Sequence, residues 1–145
     1  MRIITREVKD QPLTVTIEYP EYTESTASII HKIKSMDISL SAGIGDQKLR
    51  IDLSDIYYIE NVDRKLFIYT KKDVYRYDST MSEVESLLGD TNMVRISRTC
   101  IMNTDHLKEI RQIKNSRLEA LMDNEEKLMV SRKYLQNIKK VFGGK

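Results

Sequence analysis

The hydrophobic pattern of this chain changes period several times, and each change marks an element. Residues 1–19 hold two β-like runs, Ile3-Ile4-Thr5 and Leu13-Thr14-Val15-Thr16-Ile17, joined by a polar turn with Pro12. Beyond Pro20, Thr26, Ile29, Ile30, Ile33 and Met36 or Asp37 recur at helical spacing with Glu24, Ser28 and Lys32 opposite, which predicts an amphipathic helix. The segment from Ser41 to Lys48 holds two of the five glycines and reads as a boundary loop. It lacks the lysine and following Ser/Thr of a phosphate loop. From Leu49 the period becomes two: Leu49, Ile51 and Leu53 alternate with Arg50, Asp52 and Ser54, and Ile56 to Glu60 continues as a buried strand. Asn61 to Lys65 is a turn, Leu66 to Thr70 the returning arm of a hairpin, Lys71 to Asp73 a second turn, and Val74 to Tyr77 a further strand.

A short helix follows. Thr80-Met-Ser-Glu83 matches a capping box, Met81, Val84, Leu87 and Leu88 form an apolar stripe, and Gly89 is the expected stop. Strands are then expected over Leu107 to Ile113, Leu118 to Met122 and Leu128 to Val130, with turns at Asn115-Ser116 and Asn124-Glu125. Ser131 is placed to cap a last helix, with apolar positions at Tyr134 or Leu135, Ile138 and Val141 or Phe142, ending at Gly143-Gly144. This rhythm predicts a mainly β fold of antiparallel sheets with few short helices. Residues 1–40 form a small β-β-α extension, too small to be stable alone, and residues 41–145 the principal domain.

The stretch from Met93 to Ile110, MVRISRTCIMNTDHLKEI, poses a local problem. Alternation sends Val94 and Ile96 to the core and Arg95 and Ser97 to solvent, so Arg98 falls on the core face. An unpaired guanidinium there is strongly unfavourable, which predicts that Ser97-Arg98-Thr99 bends and turns Arg98 outward.

A chain of 145 residues with 40% hydrophobic and 32% charged positions allows one ordinary domain with an appendage. It has no apolar run of membrane-spanning length and no signal peptide, so direct membrane insertion is not expected. One cysteine, Cys100, excludes an internal disulfide and fits the cytoplasm. The formal net charge is only +2, but the segment from Asp90 to Lys145 carries twelve Lys plus Arg against seven Asp plus Glu, leaving the preceding part at minus three. This asymmetry is a modest sign of a polyanion partner.

Enzymatic chemistry finds little support. His31 and His106 lack neighbours at metal-ligand spacing, Cys100 reads as a core thiol, and no carboxylate pair stands out, so neither an enzyme, a metal nor a cofactor is expected. Basic loops carry more weight. Arg132 and Lys133 begin the last helix, where cations oppose the helix dipole unless an anion such as phosphate sits there. Arg64 and Lys65 sit at the tip of a hairpin turn. With the 97–99 bend, these make three separate basic loops on a β scaffold.

Residues from about 49 to 142 resemble the LytTR DNA-binding domain, the output module of many bacterial response regulators. The resemblance rests on DIYYIENVDRKLFIYT and its following strand, STMSEVESLL, MVRISRTCIMNTDHLKEI and LEALMDNEEKLMVSRKYLQNIKK, in matching order and spacing. It implies antiparallel β-sheets whose loops enter successive major grooves of a direct-repeat site read by two copies. Arg98 falls at the middle of the family's His-Arg-Ser-like triplet, here Ser97-Arg98-Thr99 with the leading histidine replaced. Arg132, beside Lys133, matches a second base-contacting arginine, either Arg64 or Lys65 a third contact, and Asn103 an asparagine expected to brace the loop. The implied function is a cytoplasmic, sequence-specific transcriptional regulator on double-stranded DNA, a homodimer or two copies on the site. The alternative is a protein-interaction module on the same fold. Residues 1–40 leave no room for a receiver domain; they resemble the extension of a receiver-less subfamily, for which a small membrane protein is an expected partner.

Overall fold

Alternation breaks once between residues 56 and 62, and the break shapes the core. In the computed structural model, which describes residues 1–114 and 117–141, Ile56 and Ile59 face one apolar cluster while Tyr57 and Tyr58 both face another. A register irregularity between Ile56 and Tyr58 turns the two successive tyrosines to the same side. The expected turn at Asn115-Ser116, Phe142 and the stop at Gly143-Gly144 lie outside the described residues.

The elements in chain order are α1 (Glu24–Met36), β1 (Ser39–Ile44), β2 (Gln47–Asp52), β3 (Ile56–Val62), β4 (Lys65–Thr70), β5 (Val74–Tyr77), α2 (Met81–Leu87), β6 (Met93–Arg95), β7 (Cys100–Asn103), β8 (Leu107–Ile113), β9 (Arg117–Met122), β10 (Lys127–Val130) and α3 (Leu135–Val141). Short 3-10 turns occupy Leu53–Asp55, Thr104–His106 and Arg132–Tyr134. Seven strands form one sheet in the order β2-β1-β5-β4-β3-β7-β6, and three form another in the order β10-β9-β8. Their pairings are antiparallel. This is the mainly β architecture that the sequence rhythm predicts.

Two cores lie on opposite faces of the large sheet. On one, Leu40, Ile59, Leu66 and Ile68 pack with Met81, Val84 and Leu88 of α2 and its flank. On the other, Tyr58, Val94, Ile96 and Met102 meet Ala120, Met122 and Val130 of the small sheet and Ile138 of α3. Each large aliphatic side chain so buried contributes about 1.5–3 kcal/mol. Strands β3 and β7 are therefore apolar on both faces, which explains their nearly continuous hydrophobic runs.

Several expectations are corrected. Ser41 to Lys48 is not a boundary loop: β1 and β2 form a hairpin there, with Ser41 to Arg50 and Ile44 to Gln47 among its pairs. Gly45 supplies the left-handed backbone (φ 58°) that its tight turn needs. The runs at residues 3–5 and 13–17 form no strand. A strand needs a partner for its backbone N–H and C=O groups, and none of the described residues pairs with them. α1 forms, with the Thr23 hydroxyl accepting from Thr26 N at 3.3 Å, but its inward face is rotated. Ile29 and Met36 are exposed whereas Ser35 is buried, because α1 packs against α3 and the 53–55 turn rather than across the large sheet. Leu87 is likewise exposed, on the outer side of α2. At the start of α2, Thr80 accepts from Glu83 N at 3.2 Å, while the Glu83 carboxylate accepts from Ser79 Oγ at 3.2 Å.

Candidate nucleic-acid interface

The link between β6 and β7 is built to keep Arg98 out of the core. Ile96 and Cys100 on either side are buried, and both Ile96 N and Ser97 N donate to Cys100 O, at 3.0 and 3.4 Å. Ser97 Oγ accepts from Thr99 N at 3.2 Å, a side-chain turn that closes the loop locally. The bend expected at residues 97–99 is present, and Arg98 and Thr99 at its apex are exposed while Ser97 is half-buried.

Beneath this loop lies a residue the alternation pattern misassigned. Arg95, expected to face water, has only 18% of its side chain exposed. Its guanidinium donates to Ser97 O at 3.0 Å, to Arg98 O at 2.6 Å and to Glu85 Oε1 of α2 at 3.1 Å. It also lies 5.6 Å from the Tyr134 ring centroid, within cation–π range. One planar fork thereby satisfies two loop carbonyls and an acidic partner at once. The sequence signal was available only in outline: Met93, two residues earlier on the same face, packs in the cluster that includes α2.

Two further segments are fastened to the same loop by backbone bonds. Asn61 N donates to Thr99 O at 2.8 Å, which sets the end of β3 beside the bend. The hairpin tip lies just beyond, with Asp63 and Arg64 at φ 52° and 67°, the two positive values of a turn matched to strand twist. Arg64 and Lys65 are exposed there. Ser131 N donates to Ile96 O at 2.8 Å, bringing the residues before α3 to the other side of the bend. Arg132 and Lys133 are exposed, and Lys133 Nζ lies 5.6 Å from the Tyr134 ring. Asn137 of α3 donates to Arg95 O at 3.2 Å, a second tie between that segment and β6.

The last helix begins differently from expectation. The Ser131 side chain makes no capping bond, and Arg132–Tyr134 is a 3-10 turn, so the two cations precede α3 rather than open it. Ser131 spends its backbone N–H on Ile96, outside the helix, which fixes the segment to the loop rather than to α3.

Asn103 is brought elsewhere. It sits at the end of β7 opposite the bend, is buried, and donates to Leu53 O at 3.3 Å and Ile56 O at 2.8 Å while accepting from Asp105 N at 2.9 Å. Its amide braces the start of β3 instead of the 97–99 loop. Cys100 is buried, and desolvation, with Glu60 nearby, pushes its thiol far above the usual range and keeps it protonated. His106 is a structural residue, stacked on Tyr57 with centroids 4.0 Å apart and bonded to Ser54 O at 2.7 Å and Asp123 at 3.1 Å. Among the described residues no group of three or more His, Cys, Asp or Glu could hold a metal ion, and no helix is long and apolar enough to cross a membrane.

Comparison with known proteins agrees with this architecture. The family model described as the LytTr DNA-binding domain matches residues 46–143. A solved LytTr DNA-binding domain from Bacillus cereus superposes with a TM-score of 0.66 at 26% identity, covering 72% of this chain and 96% of that one. The sensory transduction protein LytT of Bacillus cereus is 28% identical over 129 residues, which cover 86% of this chain and 52% of that protein. The transcriptional regulatory protein LytR of Staphylococcus aureus is 28% identical over 109 residues, covering 75% and 44%. This chain thus spans about half the length of the relatives it matches. The match extends over most of the chain and takes in all of the two-sheet body except β1, including the three loops; this chain belongs to the LytTr DNA-binding domain family.

Proposed function

We propose that this protein is a sequence-specific DNA-binding transcriptional regulator. In this reading the 97–99 bend, the tip at Arg64 and Lys65 and the turn at Arg132 and Lys133 approach successive major grooves, and two copies occupy a direct repeat. The carrying observation is the pair of 2.8 Å backbone bonds, Asn61 N to Thr99 O and Ser131 N to Ile96 O, which hold three exposed basic segments side by side at one end of the large sheet. Rigid strands present these loops, so little ordering entropy is lost on binding. Arg98 is the first choice for base reading, since an exposed arginine at a fixed apex suits the two acceptors of a guanine edge. Arg132, Lys133 and the hairpin cations supply phosphate contacts or further base contacts.

Selection of binding sites from random duplexes, followed by fluorescence anisotropy over a salt titration, tests this reading. The expected result is a selected repeated sequence bound at least a thousandfold more tightly than random duplex, on the order of the specificity of known regulators. Weak, sequence-blind binding throughout the titration would sink it and favour a protein-interaction role for the same surface.

A further inference from the structure

Residues 1–22 form an arm with no strand or helix, and all but Ile17 are exposed. Its composition does not suit an idle tail. From Leu13 to Tyr19 the order Leu-Thr-Val-Thr-Ile-Glu-Tyr alternates strictly, apolar on one face and polar on the other, with four β-branched residues in succession, Thr14 to Ile17. Leu13 is 97% and Val15 58% exposed. An extended segment of this kind gains stability only when a neighbouring strand pairs with its backbone.

A matching edge exists on the same molecule. Among the described residues β2, at one end of the large sheet, pairs with β1 on one side and with nothing on the other. Its six residues alternate Gln47, Leu49 and Ile51 on one face with Lys48, Arg50 and Asp52 on the opposite face. Leu49 is exposed at this edge, and an open cleft of about 510 Å³ lined in part by Leu49, Arg50 and Ile51 adjoins it. Laid along β2, the arm sets Leu13, Val15, Ile17 and Tyr19 beside Leu49 and Ile51, and Thr14, Thr16 and Glu18 beside Lys48 and Arg50. The carboxylate of Glu18 then meets a cationic row, so the charge is complementary as well as the apolar pattern.

Within one chain this pairing is not made: the arm pairs with no strand among the described residues. α1, which carries the arm, packs against α3 and the 53–55 turn, and the four residues Pro20 to Thr23 that link the arm to α1 span about 14 Å at most, which limits where the arm reaches on its own chain.

We infer that the arm is a donated strand: residues 13–19 of one copy add to the β2 edge of a second copy, and the second arm returns the contact. The exchange is self-complementary, as a twofold dimer requires. It leaves the three basic loops untouched, because the turn joining β1 to β2 is not part of them, and it is an assembly formed without DNA, distinct from two copies set head to tail on a direct repeat, which twofold symmetry does not generate.

Sedimentation velocity on the full chain without DNA, across a concentration series, tests it with two variants. Val15→Pro removes a strand donor in an exposed arm, and Leu49→Arg places a charge on the exposed edge; circular dichroism confirms that both retain the fold. The expected result is twice the monomer mass for the parent and the monomer mass for each variant over the same range. A monomeric parent would overturn the inference and leave the arm for a different kind of partner. A variant that stays dimeric would also overturn it, pointing to another face such as that of Ile29 and Met36 on α1.

Discussion

The guanidinium of Arg95 donates to the backbone carbonyl of Arg98 at 2.6 Å, so the exposed arginine at the apex of the 97–99 bend is held from below by a largely enclosed one. Because the same group reaches Ser97 O and Glu85, the loop is shaped before any ligand arrives.

Arg95→Ala is therefore expected to destabilise the fold by about 1–3 kcal/mol, the range for losing hydrogen bonds to a charged group and leaving their acceptors bare. Amide exchange at residues 97–99 should accelerate and duplex affinity fall. Arg95→Lys should restore little of either, since an ammonium lacks the planar fork. Unchanged exchange in the loop would show that Arg95 does not shape it.

Arg98→Ala separates binding from folding. The side chain is exposed at the loop apex, so thermal stability should change by no more than about 0.5 kcal/mol. Affinity for a selected duplex should fall by about 1–3 kcal/mol, with relaxed preference at one base position. Anisotropy at fixed salt measures the first and site selection the second.

Arg64 occupies left-handed backbone at φ 67°, which an arginine adopts at a cost. Arg64→Gly should stabilise the fold modestly, by about 0.5–1 kcal/mol after the added flexibility of the unfolded chain is deducted. Duplex affinity should drop in the same variant if the tip cation contacts DNA. Chemical denaturation and anisotropy on one preparation report both.

Asn103→Ala should act on stability alone. Removing the buried amide leaves Leu53 O and Ile56 O without their donor, a loss of about 1–3 kcal/mol. At a temperature where the variant remains folded, its duplex affinity should equal that of the parent. A loss of affinity in the folded variant would return Asn103 to the interface.

Asp123 predicts a pH effect at the end of the fold away from the loops. Burial raises its carboxyl, but hydrogen bonds from Tyr57 and His106 outweigh this and hold the pKa below its ordinary 3.8. A depressed native pKa stabilises the fold above the unfolded value, and that contribution is lost as pH falls through the native one. Tyr57, hydrogen-bonded to Asp123 and desolvated, is pushed up to about 12, so its contribution is lost as pH rises beyond about 10. Asp123→Asn should flatten the decline in stability below about pH 4, measured by denaturant midpoints over a pH series.

Local pattern sufficed for much of this protein. The strands from Leu49 to Val130 follow from period-two runs and turn residues, because an antiparallel sheet with a buried face imprints its pleat on the sequence. The bend at Ser97-Arg98-Thr99 was legible for the same reason: a charged residue on an apolar phase forces the chain to leave the strand. Long-range pairing was not legible. Nothing near Arg95 in the sequence announces that its acceptors are the loop carbonyls and Glu85, ten residues earlier, or that Asn61 and Ser131 bond to the two sides of one bend. Pattern also misread Ser41 to Lys48, where two glycines suggested a loop and alternation through Leu40 and Ala42 made a strand. It gave the arm its strand character but no partner, since a strand is completed by a neighbour that local sequence does not identify. The sequence by itself determined which segments extend, coil and turn; tertiary structure alone decided which of them meet, because hydrogen bonds between distant strands depend on how the two cores bring the chain together.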